Sequence, residues 1–188
     1  SSPLDERYTW SAIRYVEPDY IHTTQLAPDD PAYSDGTLWG LHNTGQDGGT
    51  PDVDINAPEA WQTRTSASDV IVAVIDTGVF YTHVDLKDNM WVNSAEIPGN
   101  GVDDDGNGFI DDVYGINAIT MDGDPLDDHS HGTHTAGTIG GQADNDTGVS
   151  GVAWDVQIMA LKFLSSGGFG SSSDAITLLA QNPVACFA

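Results

Sequence analysis

The pattern of apolar positions is clearest over Val70–Ile75, where six consecutive residues are apolar and five of them are β-branched. Such a run is typical of a strand buried on both faces of a sheet. Asp76 follows the run directly. Because open α/β sheets bind ligands at the carboxyl ends of their strands, this carboxylate is a candidate functional group.

Other segments predict elements that alternate with this strand. A short helix is expected around Pro58 to Gln62, since proline is tolerated in a first turn. A second strand is expected over Asp155–Leu164, and a helix over Ser172–Ala180, capped by a preceding serine. Strands that alternate with helices indicate an α/β fold with a parallel sheet and helices on both faces.

The charge of the chain limits its partners. Its 29 acidic and 5 basic residues give a net charge of −24, which disfavours nucleic acid and anionic membranes. Solvated surface explains such an excess, and cation binding or a saline habitat stays open. The single Cys186 excludes an internal disulfide framework. Without an initiating Met or a leader, the sequence is expected to be a piece of a longer, exported precursor.

A histidine suited to catalysis stands 55 residues after Asp76. Residues 131–137 (HGTHTAG) predict a helix that begins at His131 and packs closely through its small residues. A neutral imidazole can take a proton from a serine hydroxyl near pH 7, and a buried carboxylate would fix its tautomer. Taken singly, Asp76 could equally be a turn residue that binds local amides, and His131 a structural histidine.

Five blocks in a fixed order give the chain a resemblance to a known family. They are residues 39–41 (WGL) with 54–61 (DINAPEAW), 76–78 (DTG), 131–137 (HGTHTAG), 148–153 (GVSGVA), and 161–164 (LKFL) with 167–170 (GGFG). Together they resemble the subtilisin-like serine endopeptidases, the subtilase family. The resemblance implies a subtilisin-like fold, incomplete at its C-terminal side, with Asp76 and His131 as the first two members of an Asp-His-Ser triad.

The resemblance also implies residues that this sequence does not contain. A subtilase carries its oxyanion-hole Asn and nucleophilic Ser beyond the last block found, and no segment before Ala188 matches either motif. The implied function is hydrolysis of polypeptide substrates by a secreted, extracellular enzyme. The 188 residues alone are expected to be inactive. A catalytically inactive truncated remnant and a calcium-binding acidic module are the alternatives.

The chain is expected to divide into two parts. Residues 1–26 resemble the end of a subtilase propeptide with its cleavage linker, and residues 27–188 resemble the N-terminal part of the catalytic domain. The resemblance makes the propeptide an intramolecular inhibitor until it is cleaved. An ordinary N-terminal arm is the alternative.

Residues 103–112 (DDDGNGFIDD) match the start of an EF-hand-like calcium loop. Oxygen-bearing side chains alternate at Asp103, Asp105 and Asn107, and the carbonyl of Phe109 follows. Asp111 or Asp112 would complete the ligands of the calcium ion in place of the usual glutamate. Calcium is therefore the expected cofactor, and a solvated acidic hairpin is the alternative.

A second calcium site is implied by the resemblance. In the family, a calcium joins a residue shortly after the catalytic Asp to a loop that interrupts the helix of the catalytic His. The matching ligands here are the side chains of Asp85 and Asn145 and the carbonyls of Ala143, Thr147 and Val149.

Residues 167–170 (GGFG) are expected to bind substrate. An extended peptide can add itself as a strand to exposed backbone, and Gly168 and Gly170 would keep that backbone accessible. Phe169 would then shape an apolar subsite. A flexible connector is the alternative.

Overall fold

A four-stranded, all-parallel sheet lies at the centre of the computed structural model, which describes residues 26–181 and 186–187. Its strands are β1 (Ser66–Asp76), β2 (Gly115–Asn117), β3 (Asp155–Lys162) and β4 (Cys186–Phe187). Their spatial order is β2-β3-β1-β4. The predicted α/β class with a parallel sheet is confirmed. The predicted propeptide segment lies outside the described residues apart from Leu26.

The helices are α1 (Pro31–Ser34), α2 (Ala57–Trp61), α3 (His131–Gly140) and α4 (Ser172–Gln181), with 3-10 turns at Gln46–Gly48 and Lys87–Asn89. Helix α3 begins at the predicted histidine. Helix α4 has the predicted serine cap, because the Asp174 amide donates to Ser171 Oγ at 3.1 Å. Over the described part of the chain, every helix is too short or too polar to cross a membrane.

Strand β1 begins at Ser66, four residues before the predicted start at Val70. Its register against β3 shifts between Ala67 and Ile71, so the strand is irregular there. The polar residues 68–69 at this irregularity hide the first part of the strand from an apolar pattern.

Strands β1 and β3 end together, at Asp76 and Lys162. The predicted extension of β3 to Leu164 was wrong, because the ladder has no further partner beyond Asp76. The Asp76 carbonyl accepts hydrogen bonds from both Phe163 N at 3.0 Å and Leu164 N at 3.2 Å. The chain therefore turns away at this edge of the sheet.

Alternating side chains divide the sheet into two apolar faces, each covered by a helix. The core cluster between the sheet and α3 contains Val74, Val79, Leu86, Met90, Ala136, Val156, Ile158 and Ala160. The cluster on the opposite face contains Ala73, Phe109, Ile116, Ala118, Met159, Leu161 and Leu178, the last from α4. Burial on both faces explains the continuous apolar run of β1 and confirms the predicted helices on both sides.

Gly115 determines how closely β2 approaches β3. Its φ is +134°, and a Cβ atom there would lie 1.8 Å from the Ala160 carbonyl oxygen. We expect Gly115→Ala to lower the free energy of unfolding by about 2–4 kcal/mol, since the new methyl group forces backbone apart and strains φ. Gly99→Ala is the control, because Gly99 also has a positive φ (+75°) but open space around it. Equal losses in denaturant melts of the two variants would contradict the steric argument.

Candidate active site

Asp76 and His131 meet at the carboxyl edge of the sheet, where β1 ends and α3 begins. The Nδ1 atom of His131 lies 2.8 and 2.7 Å from the two carboxylate oxygens of Asp76. The Asp76 side chain is 10% exposed and that of His131 is 65% exposed. Because an ionised carboxylate only accepts hydrogen bonds, Nδ1 carries the proton and Nε2 is left as the basic nitrogen.

Local packing holds Asp76 in this orientation. Its Oδ1 also accepts a hydrogen bond from the Thr77 amide at 2.6 Å, and its Oδ2 accepts one from Thr135 Oγ1 at 3.4 Å. Helix α3 comes close to β1 at Gly132, where a Cβ atom would lie 2.1 Å from the Gly78 carbonyl oxygen. Gly132 therefore lets α3 touch the backbone that follows β1, while Gly78, with a φ of +102°, leaves room for the carbonyl oxygen of Pro125.

A buried ammonium group lies at the same edge. Lys162, at the end of β3, is 4% exposed and donates to the carbonyl of Thr77 and, at 2.6 Å, to the carboxylate of Asp128. The ion pair offsets the cost of burying the charge. Sequence reasoning included Lys162 only as a strand residue. The signal that could have marked it is a lone charge at the end of an apolar strand.

The predicted substrate loop folds back on itself beside the dyad. The Phe169 carbonyl accepts from Ser165 N at 2.9 Å and from Ser165 Oγ at 3.0 Å, while the Phe169 ring is exposed. Gly168 has a φ of +76°, and a Cβ atom there would lie 3.4 Å from His129 Nε2. A Cβ atom on Gly170 would lie 2.1 Å from the Phe163 carbonyl oxygen. Gly168 thus allows a turn with a positive φ, and Gly170 allows close packing against the Phe163 backbone. The Phe169 side chain projects into solvent.

Three carboxylates form a candidate metal centre around the acidic loop. Oxygens of Glu96, Asp105 and Asp112 lie within 4.8 Å of one another. Glu96 and Asp112 are buried, and among the described residues none of the three forms an ion pair with a lysine or arginine. Oxygens at this spacing match a cation with oxygen ligands at 2.3–2.6 Å, as calcium prefers. The donor set therefore fits a calcium ion.

The predicted loop ligands divide into two groups. Asp105 and Asp112 belong to the three-carboxylate group, and Asn107 Nδ2 donates to both of them at 3.2 and 2.9 Å. Asp103 instead accepts the backbone amides of residues 106–108. The Phe109 side chain packs in the core.

Glu96 was missed by sequence reasoning because it lies seven residues before the loop begins. Its Oε1 accepts the amides of Asp104 at 2.9 Å and Asp105 at 3.1 Å, and its Oε2 accepts the Asp111 amide at 3.1 Å. Asn93 was also missed, and its Nδ2 donates to Asp105 and Asp112. Glu96 and Asn93 belong to no motif in the sequence, so nothing there predicted that either side chain contacts the acidic loop.

Burial among acidic neighbours raises the pKa of Asp112 from 3.8 to about 6, although hydrogen bonds from Asn107 and Asn93 oppose the shift. An acid with a raised folded pKa stabilises the metal-free protein fully below pH about 4, and this contribution is lost as the pH rises through about 6. In chelator, we therefore expect the wild type to lose stability relative to Asp112→Asn between pH 4 and 7. Thermal melts of both proteins at several pH values between 4 and 7 measure how the difference in their stability changes with pH. A constant difference between them would contradict the raised pKa.

The second predicted metal loop closes directly on Asp85. Asp85 is buried and accepts hydrogen bonds from Asn145 Nδ2 at 3.0 Å and from Val149 N at 2.8 Å. The Thr147 amide donates to Asn145 Oδ1 at 2.8 Å. The predicted residues are thus brought together, and a cation would take the amide oxygen of Asn145 after the amide rotates.

Asp30 joins this loop to the N-terminal part of the chain. Its side chain is completely buried and accepts Asp144 N at 3.0 Å, Asn145 N at 3.4 Å and Ser150 Oγ at 2.6 Å. The sequence analysis assigned Asp30 to the start of the catalytic domain and did not predict this contact. Asp30 immediately precedes α1, which begins at Pro31.

Comparison with known proteins identifies the family. The sequence profile of the subtilase family (Peptidase_S8) matches residues 67–185. Subtilisin-like protease 1 of Plasmodium berghei is 43% identical over 109 residues, which cover 57% of this chain and 18% of that protein. A halolysin-like extracellular serine protease of Natrialba magadii is 32% identical over 162 residues, which cover 86% of this chain and 25% of that protein.

A solved structure agrees with these matches. The chain superposes on the Aeromonas sobria serine protease, determined in complex with a chaperone, with a TM-score of 0.61 and 26% identity. The match covers 84% of this chain and 24% of that one. The chain therefore spans a quarter or less of each protein compared here. The profile match, the sequence identities and the fold together show that this chain belongs to the subtilase family of serine proteases.

Proposed function

We propose that the chain supplies the base half of a subtilisin-like serine endopeptidase. The observation that carries the proposal is the contact between the buried Asp76 carboxylate and Nδ1 of the exposed His131 ring, at 2.7 Å. The membership in a protease family supports the same conclusion. The nucleophilic serine and the oxyanion-hole asparagine would come from sequence outside these 188 residues.

The proposed chemistry follows from the two side chains. Asp76 holds Nδ1–H, so that the lone pair of Nε2 can accept the proton of the serine hydroxyl while the serine oxygen attacks the peptide carbonyl. His131, now positively charged and stabilised by Asp76, then gives that proton to the leaving amine. A water molecule repeats the cycle to release the acyl group. Asp76 orients, and His131 acts as general base and then general acid.

The substrates would be polypeptides that bind beside the dyad in extended form. The loop of residues 167–170 lies next to His129, and the exposed Phe169 ring would contact an apolar substrate side chain. Hydrogen bonds to the substrate backbone form with nearly any peptide sequence. Selectivity between substrates would therefore come from side-chain contacts such as that of Phe169.

The test uses a completed chain, defined as these 188 residues joined to the serine-bearing remainder of the domain from the Natrialba magadii relative. We expect the completed chain to hydrolyse an unfolded protein and the 188 residues alone to leave it intact. Hydrolysis by the 188 residues alone, abolished by His131→Ala, would show that the nucleophile lies within them. No hydrolysis by a folded completed chain would favour the alternative of an inactive remnant.

Calcium is the proposed cofactor, with two groups of ligands. The first is the three-carboxylate group of Glu96, Asp105 and Asp112. The loop carbonyl of Phe109 would add an oxygen, and so would Asn107 once its amide, which now donates to Asp105 and Asp112, rotates. Asp103, a ligand in the predicted loop pattern, would add a carboxylate oxygen while it accepts the amides of residues 106–108. The second is Asp85 with Asn145 and the carbonyls of Thr147 and Val149. Calcium at these places would offset buried negative charge and stabilise the loops that carry the ligands.

Secretion is proposed from two supporting facts. One relative is described as an extracellular serine protease, and the chain carries a net charge of −24 with only 5 basic residues. An acidic, hydrated surface keeps a protein soluble outside the cell. Calcium is abundant there, which suits sites with modest affinity.

We also propose that residues 1–26 end a propeptide that inhibits the protease domain until it is cleaved. The resemblance of this segment to subtilase propeptides supports the proposal. A matched protease was solved with a bound chaperone, which is consistent with a separate folding partner. Mass spectrometry of the completed chain after activation should find a new N-terminus between residues 21 and 32.

A further inference from the structure

The carboxylate of Asp127 ties the end of β1 to the first turn of α3. Its Oδ1 accepts hydrogen bonds from Thr77 Oγ1 at 2.9 Å, His129 N at 2.9 Å and Ser130 N at 3.0 Å. Its Oδ2 accepts from Thr133 N at 3.0 Å and from the Thr133 hydroxyl. Five donors from three places in the chain thus converge on one carboxylate just before the helix that carries His131.

The two threonine hydroxyls extend this network to the backbone on both sides of the dyad. Thr77 Oγ1 accepts from the amide of Gly132 at 2.9 Å, and Thr133 Oγ1 accepts from the amide of Phe80 at 3.0 Å. The segment after Asp76 is therefore bound to the helix turn after His131 through two hydroxyl bridges. Asp127 is the common acceptor of both.

The direction of every proton in this network is determined by the charge of Asp127. An ionised carboxylate offers only acceptors, so both hydroxyls must donate to it. Each hydroxyl then has lone pairs free to accept a backbone amide from the opposite segment. An amide in place of the carboxylate would present a donor to one of these hydroxyls and reverse or break that bridge.

The start of α3 depends on the same carboxylate. Ser130, the residue before the helix, has a φ of +79° and its own side chain makes no capping hydrogen bond. Asp127 instead accepts two amides at this end, of Ser130 and Thr133, and its negative charge is favourable at a helix N-terminus. Burial alone would raise the pKa of Asp127, but the hydrogen bonds from Thr133, His129 and Thr77 outweigh it, so the pKa is lowered and the group stays ionised.

We propose that Asp127 is a positioning residue, which holds the Asp76–His131 pair in register by fixing the β1 end against the first turn of α3. Its carboxylate bonds residues on either side of Asp76 and His131 rather than the pair itself, and it acts through Thr77 and Thr133. The inference rests on the proposed function for its catalytic meaning, but the geometry that it explains can be measured in the 188-residue chain itself.

The test observes the hydrogen bond of the pair directly. In chain labelled with ¹⁵N-histidine, the Nδ1–H resonance is assigned by its loss in His131→Ala. We expect Asp127→Asn to speed the exchange of this proton with water about tenfold or more, because charge-assisted hydrogen bonds are lost. Amide protection in the β1–β3 ladder should stay unchanged. Asp124→Asn is the control, since Asp124 lies in the same loop and also accepts one amide and one hydroxyl, but neither comes from α3.

A second set of variants keeps the inference falsifiable if Asp127→Asn unfolds the chain. Thr133→Val removes one bridging hydroxyl and should speed the exchange, whereas Thr133→Ser keeps the hydroxyl and should restore the wild-type rate. Thr138→Val on the same helix is the control, because within the described part of the chain the Thr138 hydroxyl bonds only the His134 carbonyl.

The outcomes separate this inference from the proposed function. Unchanged exchange in both Asp127→Asn and Thr133→Val would overturn the positioning role while leaving the dyad intact. A wild-type chain without a protected Nδ1–H would overturn the dyad itself and the positioning role with it. Faster exchange in Thr133→Val that Thr133→Ser does not rescue would also overturn it.

Discussion

Asp76→Asn in the completed chain is expected to lower kcat for peptide hydrolysis by about four orders of magnitude. The change keeps the shape of the side chain, but an amide group can donate a hydrogen bond to Nδ1. The imidazole would then carry its proton on Nε2, where the serine proton must be accepted. Because the Asp76 side chain is only 10% exposed and lies behind His131, KM should change little. Steady-state kinetics with a peptide substrate measures both constants.

Asp69→Asn is the matched control for this experiment. Asp69 lies on the same strand, is exposed, and pairs with Arg64 at 2.8 Å on the surface. We expect this variant to keep the wild-type kcat, since exposed ion pairs contribute little and the pair is remote from His131. A loss of less than tenfold in Asp76→Asn, or similar losses in both variants, would contradict the role of Asp76.

Removal of calcium is expected to be the largest change in stability that can be produced without mutation. A cation present at one hundred times its Kd stabilises a protein by about 2.7 kcal/mol. Its removal by a chelator should therefore lower Tm by roughly 5–11 °C. The physical reason is that Glu96 and Asp112 bury negative charge without a basic partner in the described part of the chain. Calorimetry with and without chelator measures the difference.

Two neighbouring acids of the loop provide the variant and its control. Asp105→Asn removes one oxygen of the three-carboxylate group and should weaken calcium binding at this site by about tenfold or more. Asp104→Asn should not, because the Asp104 carboxylate contacts Ile97 N and Asn100 Nδ2 outside that group, and its backbone amide, which donates to Glu96, is kept. Calorimetric titration with calcium distinguishes them. Equal calcium affinities in both variants would leave a solvated acidic hairpin as the better description.

The sequence predicted those parts of the fold that depend on one continuous pattern. The apolar run that ends at Asp76 could only be buried on both faces, and this placed a carboxylate at the sheet edge. The small residues after His131 predicted a helix that approaches a strand closely. The first residues of β1 were missed because Ser68 and Asp69 lie at a strand irregularity on the exposed part of the sheet, where no apolar period is required.

The contacts that the sequence did not predict join residues far apart in the chain. Glu96 reaches its loop through backbone amides, and Asp30 binds a loop more than 110 residues away. The sequence analysis made no prediction for Asp127, yet its carboxylate accepts five hydrogen bonds at the start of α3. In each case most of the hydrogen bonds to the carboxylate come from backbone amides. Every residue type except proline has such an amide, so the sequence does not indicate which ones will be used.

Labelling by a fluorophosphonate probe tests the central claim most directly, because the probe reacts only with an activated serine. The account predicts that the 188-residue chain is not labelled, that the completed chain is labelled, and that His131→Ala in the completed chain abolishes the labelling. Labelling of the 188-residue chain that requires His131 would place the nucleophile within these residues. Labelling of the completed chain that persists in His131→Ala would show that the Asp76–His131 pair is not the base of this protease.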